Sequence, residues 1–306
     1  MMMNKPKKQN IQGILLLDKP KGMTSNAALQ TVKHLFNAQK AGHTGSLDPL
    51  ASGLLPLCFG EATKFSQFLL DADKHYQVIA KLGEKTTTAD AEGEVIQTLP
   101  VPHFTETEIE AVLTRFRGDI EQIPSMFSAI KHQGQPLYKL ARQGIEIERQ
   151  PRPVSIYRLQ VIAMTADTLT LDVLCSKGTY VRNLVEDIGE ALGCGAHVAE
   201  LRRLGVGPYL ADQMVTMAQL ETVVAEQGVA ALSSYLLGVD SAVTHWPTIE
   251  LTESTAFYVR QGQSVLVPQT PAAQTWVRLM QSDGRFLGVG EVLDDGKVAP
   301  RRLVVG

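Results

Sequence analysis

Residues 40–56 read KAGHTGSLDPLASGLLP. Gly42, Gly45, Pro49 and Gly53 interrupt both helical and strand periodicity, so the stretch is expected to be a loop that gives way to a strand at LLPLCFG. Asp48 stands alone in it. Between Asp18 and Glu61 the chain carries four lysines, two histidines and no other acidic side chain, so one negative charge sits in a positive neighbourhood. Asp before Pro also starts ordinary turns, which leaves a turn-forming and a reactive role both open for Asp48 on these residues alone.

Upstream, GILLLDKPKG predicts a short buried strand, Ile14 to Leu17, closed by a Lys-Pro-Lys-Gly turn. Ser25 is placed to cap a helix whose apolar face carries Leu29, Val32, Leu35 and Phe36. Downstream, residues 63–70 suggest a helix. HYQVIAKL then alternates, with Tyr76, Val78, Ala80 and Leu82 on one face of a half-buried strand. Thr105 and Glu108 form the signature of a capping box. From Ile123 to Pro153 the pattern fades into a basic, Gln-rich segment bounded by prolines, read as an insertion projecting from the core with a short helix near Tyr138 to Gln143. Leu169, Leu171, Val173 and Cys175 alternate as a strand. SKGTYVRNLVEDIGEALG then turns directly into a helix stopped by Gly193, which puts Tyr180 and Arg182 at a strand-to-helix junction. Residues 217–236 suggest another helix and VDSAVTHWP a linker. The tail beyond it holds short strands with SDGR and DDGK turns.

The chain has 306 residues, 44% of them hydrophobic, enough for a full core in one large domain or a large and a small one. Three cysteines, Cys58, Cys175 and Cys194, form no CxxC pair, so neither a disulfide framework nor a zinc site is readable and the reducing cytosol is the expected compartment. No apolar run is long enough to span a membrane, and the basic start MMMNKPKKQN lacks the features of a signal peptide. Residues 1–10 are therefore expected to be a disordered basic tail. The net charge of −3 hides segregation. Residues 84–110 hold seven acids against one lysine, whereas residues 131–158 hold six Lys/Arg against two Glu. Such a basic stripe suits phosphate binding, as it also suits a solvated loop.

No second acid flanks Asp48 to make a glycosidase pair, and no His/Cys/Asp cluster has metal spacing. A lone carboxylate can still be a nucleophile if a cation keeps it ionised, and Arg182 is the candidate cation.

GHTGSLDPLASGLLP, with GILLLDKPKGMTS before it and HYQVIAKLGEKTTTADAEG and CSKGTYVRNLVEDIGEALG after it, resembles the motif set of bacterial tRNA pseudouridine-55 synthases. The resemblance runs in order over roughly residues 11–240. The tail, with GRFLGVGEV and APRRLV, resembles a PUA-type RNA-binding module. What the resemblance implies is an isomerase that flips a uridine out of the tRNA T-loop, detaches its base and rejoins it through carbon, without cofactor or metal. The fold implied is α+β: a mixed, mainly antiparallel sheet flanked by helices, with a small β-rich PUA-like domain. The catalytic domain would span 11–248, with the RNA-gripping insertion at about 123–153, and the PUA-like domain 249–306. The family's essential aspartate falls on Asp48, its base-stacking tyrosine on Tyr76 and its carboxylate-pairing arginine on Arg182, expected to be bidentate. Tyr180 and Leu201 match positions lining the base pocket. His43 matches a histidine that enters the RNA where the flipped base leaves, although a bond to its own glycine-rich loop is an equal alternative. Lys19 and Pro20 belong to the same motif block and are expected to pack behind the substrate pocket. Whether Asp48 attacks sugar or base stays open. The partner implied is the tRNA T-arm, with no membrane, and the protein is expected to be a cytoplasmic monomer. The alternatives are a non-catalytic tRNA-binding or tRNA-folding protein, and a hydrolase with an aspartate nucleophile. The hydrolase reading leaves the aromatic pocket residues and the basic insertion unexplained.

Overall fold

The computed structural model describes residues 7–128 and 130–305. The alternating runs pair into one ten-stranded sheet. Across it lie Val215–Thr216, Gly13–Lys19, Ser52–Phe59, Ala196–Val206, Lys74–Leu82, Thr168–Cys175, Arg152–Met164 and Gly118–Gln122, with the short strands Ala41–His43 and Tyr209–Leu210 attached beside this path. Only two of these pairings are parallel, Gly13–Lys19 with Val215–Thr216 and Ser52–Phe59 with Ala196–Val206. The sheet is thus mixed and mainly antiparallel, as the α+β reading requires.

One face buries a core of Val78, Ala80, Leu82, Leu169, Leu171 and Val173 from alternating strand positions. It is covered by the helix Val181–Ala191, which inserts Leu184, Val185 and Ile188 at helical spacing. Gly193, at φ 79°, takes the left-handed conformation that ends this helix. The helix Glu106–Thr114 begins with the expected capping box, Thr105 against Glu108. A second core lies under the helix Ser25–Leu35. Its cap is Thr24, whose side chain accepts from Ala27 N at 3.1 Å. The sequence reading gave that role to Ser25, which is buried and engaged elsewhere.

Other expectations shift in detail. Residues 63–70 divide into a 3-10 turn, Gly60–Phe65, and a helix, Ser66–Asp71. The helix expected over 217–236 ends at Gln227, because Gly228 at φ 82° breaks it before a 3-10 turn, Val229–Tyr235. The tail is tied down from Lys7 onward: Gln9 N donates to Asn37 O at 2.8 Å and Gln39 N to Gln9 O at 2.9 Å. Residues 1–6 lie outside those described. The insertion carries a small hairpin, Lys131–His132 with Gln135–Pro136, and the helix Leu137–Ala141.

A second, four-stranded sheet is built from Thr248–Leu251, Trp276–Gln281, Phe286–Val292 and Val298–Leu303, with the unforeseen helix Glu253–Arg260 against it. VDSAVTHWP is no loose linker. Ala242 and Val243 are buried, and Trp246 packs edge-on to Phe68 at 4.8 Å and beside Trp276 at 5.4 Å, which joins the two sheets through aromatic contact.

The Val181–Ala191 helix both closes the main core and carries Arg182, so its packing should govern global stability. Leu184→Ala, at a fully buried position, is expected to cost about 2–5 kcal/mol in denaturant unfolding.

Candidate active site

The loop around Asp48 is fixed from several sides. Leu47, Leu50 and Ala51 are buried in the main core. The Ser25 hydroxyl accepts from Leu47 N at 2.7 Å and donates to Leu47 O at 3.0 Å, so one buried side chain holds the residue before Asp48 by both backbone groups. Gly22 N donates to Pro49 O at 2.7 Å, and Ala51 N closes a turn onto Asp48 O at 3.1 Å. The turn is therefore made by backbone, which frees the Asp48 carboxylate. Gly53, at φ 98°, lets the exit strand press on its neighbour: a Cβ there would come within 2.3 Å of Arg203 O.

Asp48 Oδ2 lies 3.0 Å from Arg182 Nε. The bidentate pairing expected from sequence is not what forms, because the guanidinium is shared. Its Nη1 donates to Thr88 O at 3.1 Å, its Nη2 to Phe127 O at 2.9 Å, and Nη1 also lies 3.6 Å from Asp90 Oδ2. Arg182 is 6% exposed, so this spread of acceptors fixes its plane from the other side. Asp90, itself 3% exposed, is held by Thr88 Oγ1 at 2.5 Å and Glu92 N at 3.1 Å. Asp48 is solitary in sequence but not in space, since the TTTADAEG turn brings Asp90 and Glu92 to the same site. Burial pushes the Asp48 carboxyl above its usual range and Asp90 adds to this, while Arg182 and Lys19 pull it back. Burial also raises Glu92, with Asp90 and Asp48 reinforcing the shift.

Two cavities meet at Asp48. One, of about 360 Å³, is walled by Tyr76, Tyr180, Leu201 and Arg203, and the other, of about 630 Å³, by His43, Asp90, Tyr138 and Arg142. Tyr76 stands opposite Val173 on one side and Arg203 on the other, and Leu201 opposite Val78, so the sheet register sets both on the first cavity's wall. Burial raises the Tyr76 phenol. Tyr180 caps the Val181–Ala191 helix, and the buried Gln122 clamps its backbone, accepting from Tyr180 N at 3.0 Å and donating to Tyr180 O at 3.3 Å.

His43 ends the short strand Ala41–His43 and faces the second cavity. Its Nδ1 is buried without a hydrogen-bond partner among the described residues, so that nitrogen does not bond the glycine-rich loop as one alternative had it. Burial, with Arg203 second, holds the imidazole below its usual pKa. Lys19 is fully buried and its ammonium donates to Pro20 O at 2.9 Å and Met23 O at 2.6 Å. Burial lowers it to about 8 against the pull of Asp48. Pro20 does not pack behind the pocket: it is exposed, turned out by the chain reversal that lets Lys19 reach its carbonyl, and borders neither cavity.

Asp90, Gln122 and Arg203 escaped the sequence reading, as did the hold of Ser25 on Leu47. Arg203 is 1% exposed and donates to Leu54 O at 2.7 Å and Gly45 O at 3.0 Å, bracing the Asp48 loop from below. The available signal was an arginine placed opposite Tyr76 in alternating ELRRLGVG, but pairing register is not visible in one sequence.

The family model for the TruB family pseudouridylate synthase N-terminal domain matches residues 33–181, which contain the Asp48 loop, Tyr76 and Tyr180. A tRNA pseudouridine synthase B of Pseudomonas fluorescens is 59% identical over 297 residues, 97% of either chain. The chain belongs to the TruB family of pseudouridylate synthases. Models of the family's C-terminal regions match residues 182–244 and 247–304. The tRNA pseudouridine synthase B of Coxiella burnetii, strain RSA 331, is 55% identical over 303 residues, 98% of each chain. Among solved structures, a chain of a Cbf5-Nop10-Gar1 complex superposes with a TM-score of 0.76 at 27% identity, covering 98% of this chain and 87% of that one.

The raised carboxyl of Asp48 has a consequence for stability. A group that holds its proton more tightly when folded costs stability while ionised, and the cost is relieved as pH falls through its folded pKa. Asp48→Asn removes the charge but keeps the shape, so its thermal midpoint at pH 7 is expected to be no lower than that of the parent protein. Its advantage should shrink in scans at progressively lower pH.

Proposed function

We propose that the protein isomerises uridine to pseudouridine at position 55 in the T-loop of tRNA. The observation that carries this reading is the buried, shared Arg182 guanidinium holding one oxygen of Asp48 at the mouth of a cavity walled by Tyr76, Tyr180 and Leu201. A carboxylate so held stays available as a nucleophile, and with Oδ2 on Arg182 it is Oδ1 that acts on substrate. The conversion breaks the bond from N1 of uracil to the ribose and makes one from C5. C5 gives up its proton and N1 gains one, so substrate and product contain the same atoms and no cofactor is consumed.

Tyr76 and Tyr180 supply aromatic faces for a base taken out of its stack, an interaction worth about 1–3 kcal/mol per base. The reading makes Tyr76 a base-stacking residue that can also move a ribose proton, and His43 the residue that fills the space the base leaves. Lys19 serves from behind, through the backbone it ties and its charge beside Asp48. The basic insertion and the second sheet grip the T-arm, mainly through phosphate, and add affinity rather than sequence choice. The protein is inferred to act on tRNA as a monomer in the cytoplasm. Relatives named tRNA pseudouridine synthase B support the substrate assignment.

Release of tritium from C5-labelled uridine in an unmodified tRNA transcript tests the proposal. The parent protein should release it and Asp48→Asn should lose at least about a thousandfold in rate while still binding the transcript. Binding without release by either protein would leave a tRNA-binding role in place of the enzyme.

The pH profile supplies a separate check. Asp48 must be ionised to act, so single-turnover rates should fall on the acid side with an apparent pKa above the usual 3.8. Arg182→Gln removes the cation that favours the charged form, and should move that limb to higher pH as well as slow the reaction.

A further inference from the structure

Six residues border both cavities at the reaction centre: Ser46, Leu47, Asp48, Phe127, Ser128 and Arg182. Leu47 and Phe127 have no polar side chain, Asp48 and Arg182 are paired, and Ser46 is exposed to water. Ser128 differs from all of them. It is 3% exposed, yet its hydroxyl has no hydrogen-bond partner among the described residues. The Tyr180 hydroxyl is its neighbour in the wall, near enough to offset in part the burial that raises that phenol, but not in hydrogen-bond geometry with it.

A hydroxyl buried in this state is costly, and costs of that kind are tolerated where a ligand completes the bond. Its position is set on both sides by backbone: Phe127 O accepts from Arg182 Nη2 at 2.9 Å, and Ser128 O from Tyr138 N at 3.1 Å. The free hydroxyl is thus fixed relative to the Asp48–Arg182 pair.

Which part of the substrate meets it follows from the proposed reaction, on which this inference rests. With the base in the aromatic cavity and the bond to ribose remade beside Asp48, the sugar itself must occupy the border between the two cavities. The second cavity is walled by three carboxylates, Asp48, Asp90 and Glu92, against Arg142 and Arg182. Carboxylates repel phosphate but accept readily from hydroxyl groups, so that wall suits ribose better than its phosphates. We propose that Ser128 hydrogen-bonds the 2′-hydroxyl of the flipped nucleotide and thereby makes the site select ribose over deoxyribose. Serine can both donate to and accept from that group, which is the feature that separates RNA from DNA at a single nucleotide.

The test uses full-length protein in the Asp48→Asn background, where substrate is bound but not turned over. T-arm RNAs carrying either uridine or 2′-deoxyuridine at the target position are titrated against Asp48→Asn and against Asp48→Asn with Ser128→Ala. Asp48→Asn should prefer the uridine RNA by about 3- to 10-fold. Adding Ser128→Ala should abolish the preference and leave affinity for the 2′-deoxy RNA unchanged, which also shows that the variant is folded. A preference that survives Ser128→Ala, or an equal loss of affinity for both RNAs, overturns the assignment. Tritium release by the parent protein, measured alongside, separates the two readings. Its absence sinks the isomerase, whereas its presence with an undiminished preference sinks only the role of Ser128.

Discussion

A guanidinium buried to 6% exposure cannot be left without acceptors, and satisfying Arg182 draws four parts of the chain together. The Asp48 loop provides a carboxylate, the 88–90 turn a carbonyl and a second carboxylate, and the root of the insertion the carbonyl of Phe127. The fourth part is the helix that carries the arginine. Burial of the charge is tolerable because several partners share it, since an unpaired buried cation costs several kcal/mol. Each segment is thus placed by the same interaction that holds the Asp48 carboxylate.

The sheet makes that convergence possible. Tyr76, Leu201 and Arg203 come from adjacent antiparallel strands, where register alone decides which side chains share a wall. Arg182 enters from the first turn of a helix, near the positive end of its dipole, where a cation is poorly placed unless anions face it. Asp48 and Asp90 face it. An arrangement that would be unfavourable in an isolated helix becomes favourable through tertiary contact, and Leu184, Val185 and Ile188 secure it by anchoring the next two turns in the core.

Much of this was legible in the chain. Period-two alternation marked the strands bearing Tyr76 and Val173, helical spacing marked the helix after Tyr180, and Thr105 with Glu108 marked the start of the helix Glu106–Thr114. The motif resemblance carried Asp48, Arg182, Tyr180 and Leu201 to one site, where the structure also places them. What escaped was long-range. Ser25 was read as a local cap because its reach to Leu47, 22 residues away, has no local signature. Thr24, one residue earlier, does the capping. Asp90 and Gln122 were passed over because the work they do is on distant backbone and side chains. Pro20 was misplaced because a motif shows that residues stand together, not which of them faces inward.

The charges at the centre suit an uncharged base better than a phosphate backbone. Asp48, Asp90 and Glu92 gather round Arg182 and the buried Lys19, so the anions offset the cations inside the site. Exposed basic residues lie away from this centre, Lys131 and Lys139 on the insertion among them. A polyanion is therefore attracted to the rim and not to the floor. Uracil and ribose carry no charge and can cross from rim to floor without opposing that field. The same opposition acts on Asp48, where packing pushes the carboxyl up while Arg182 pulls it back.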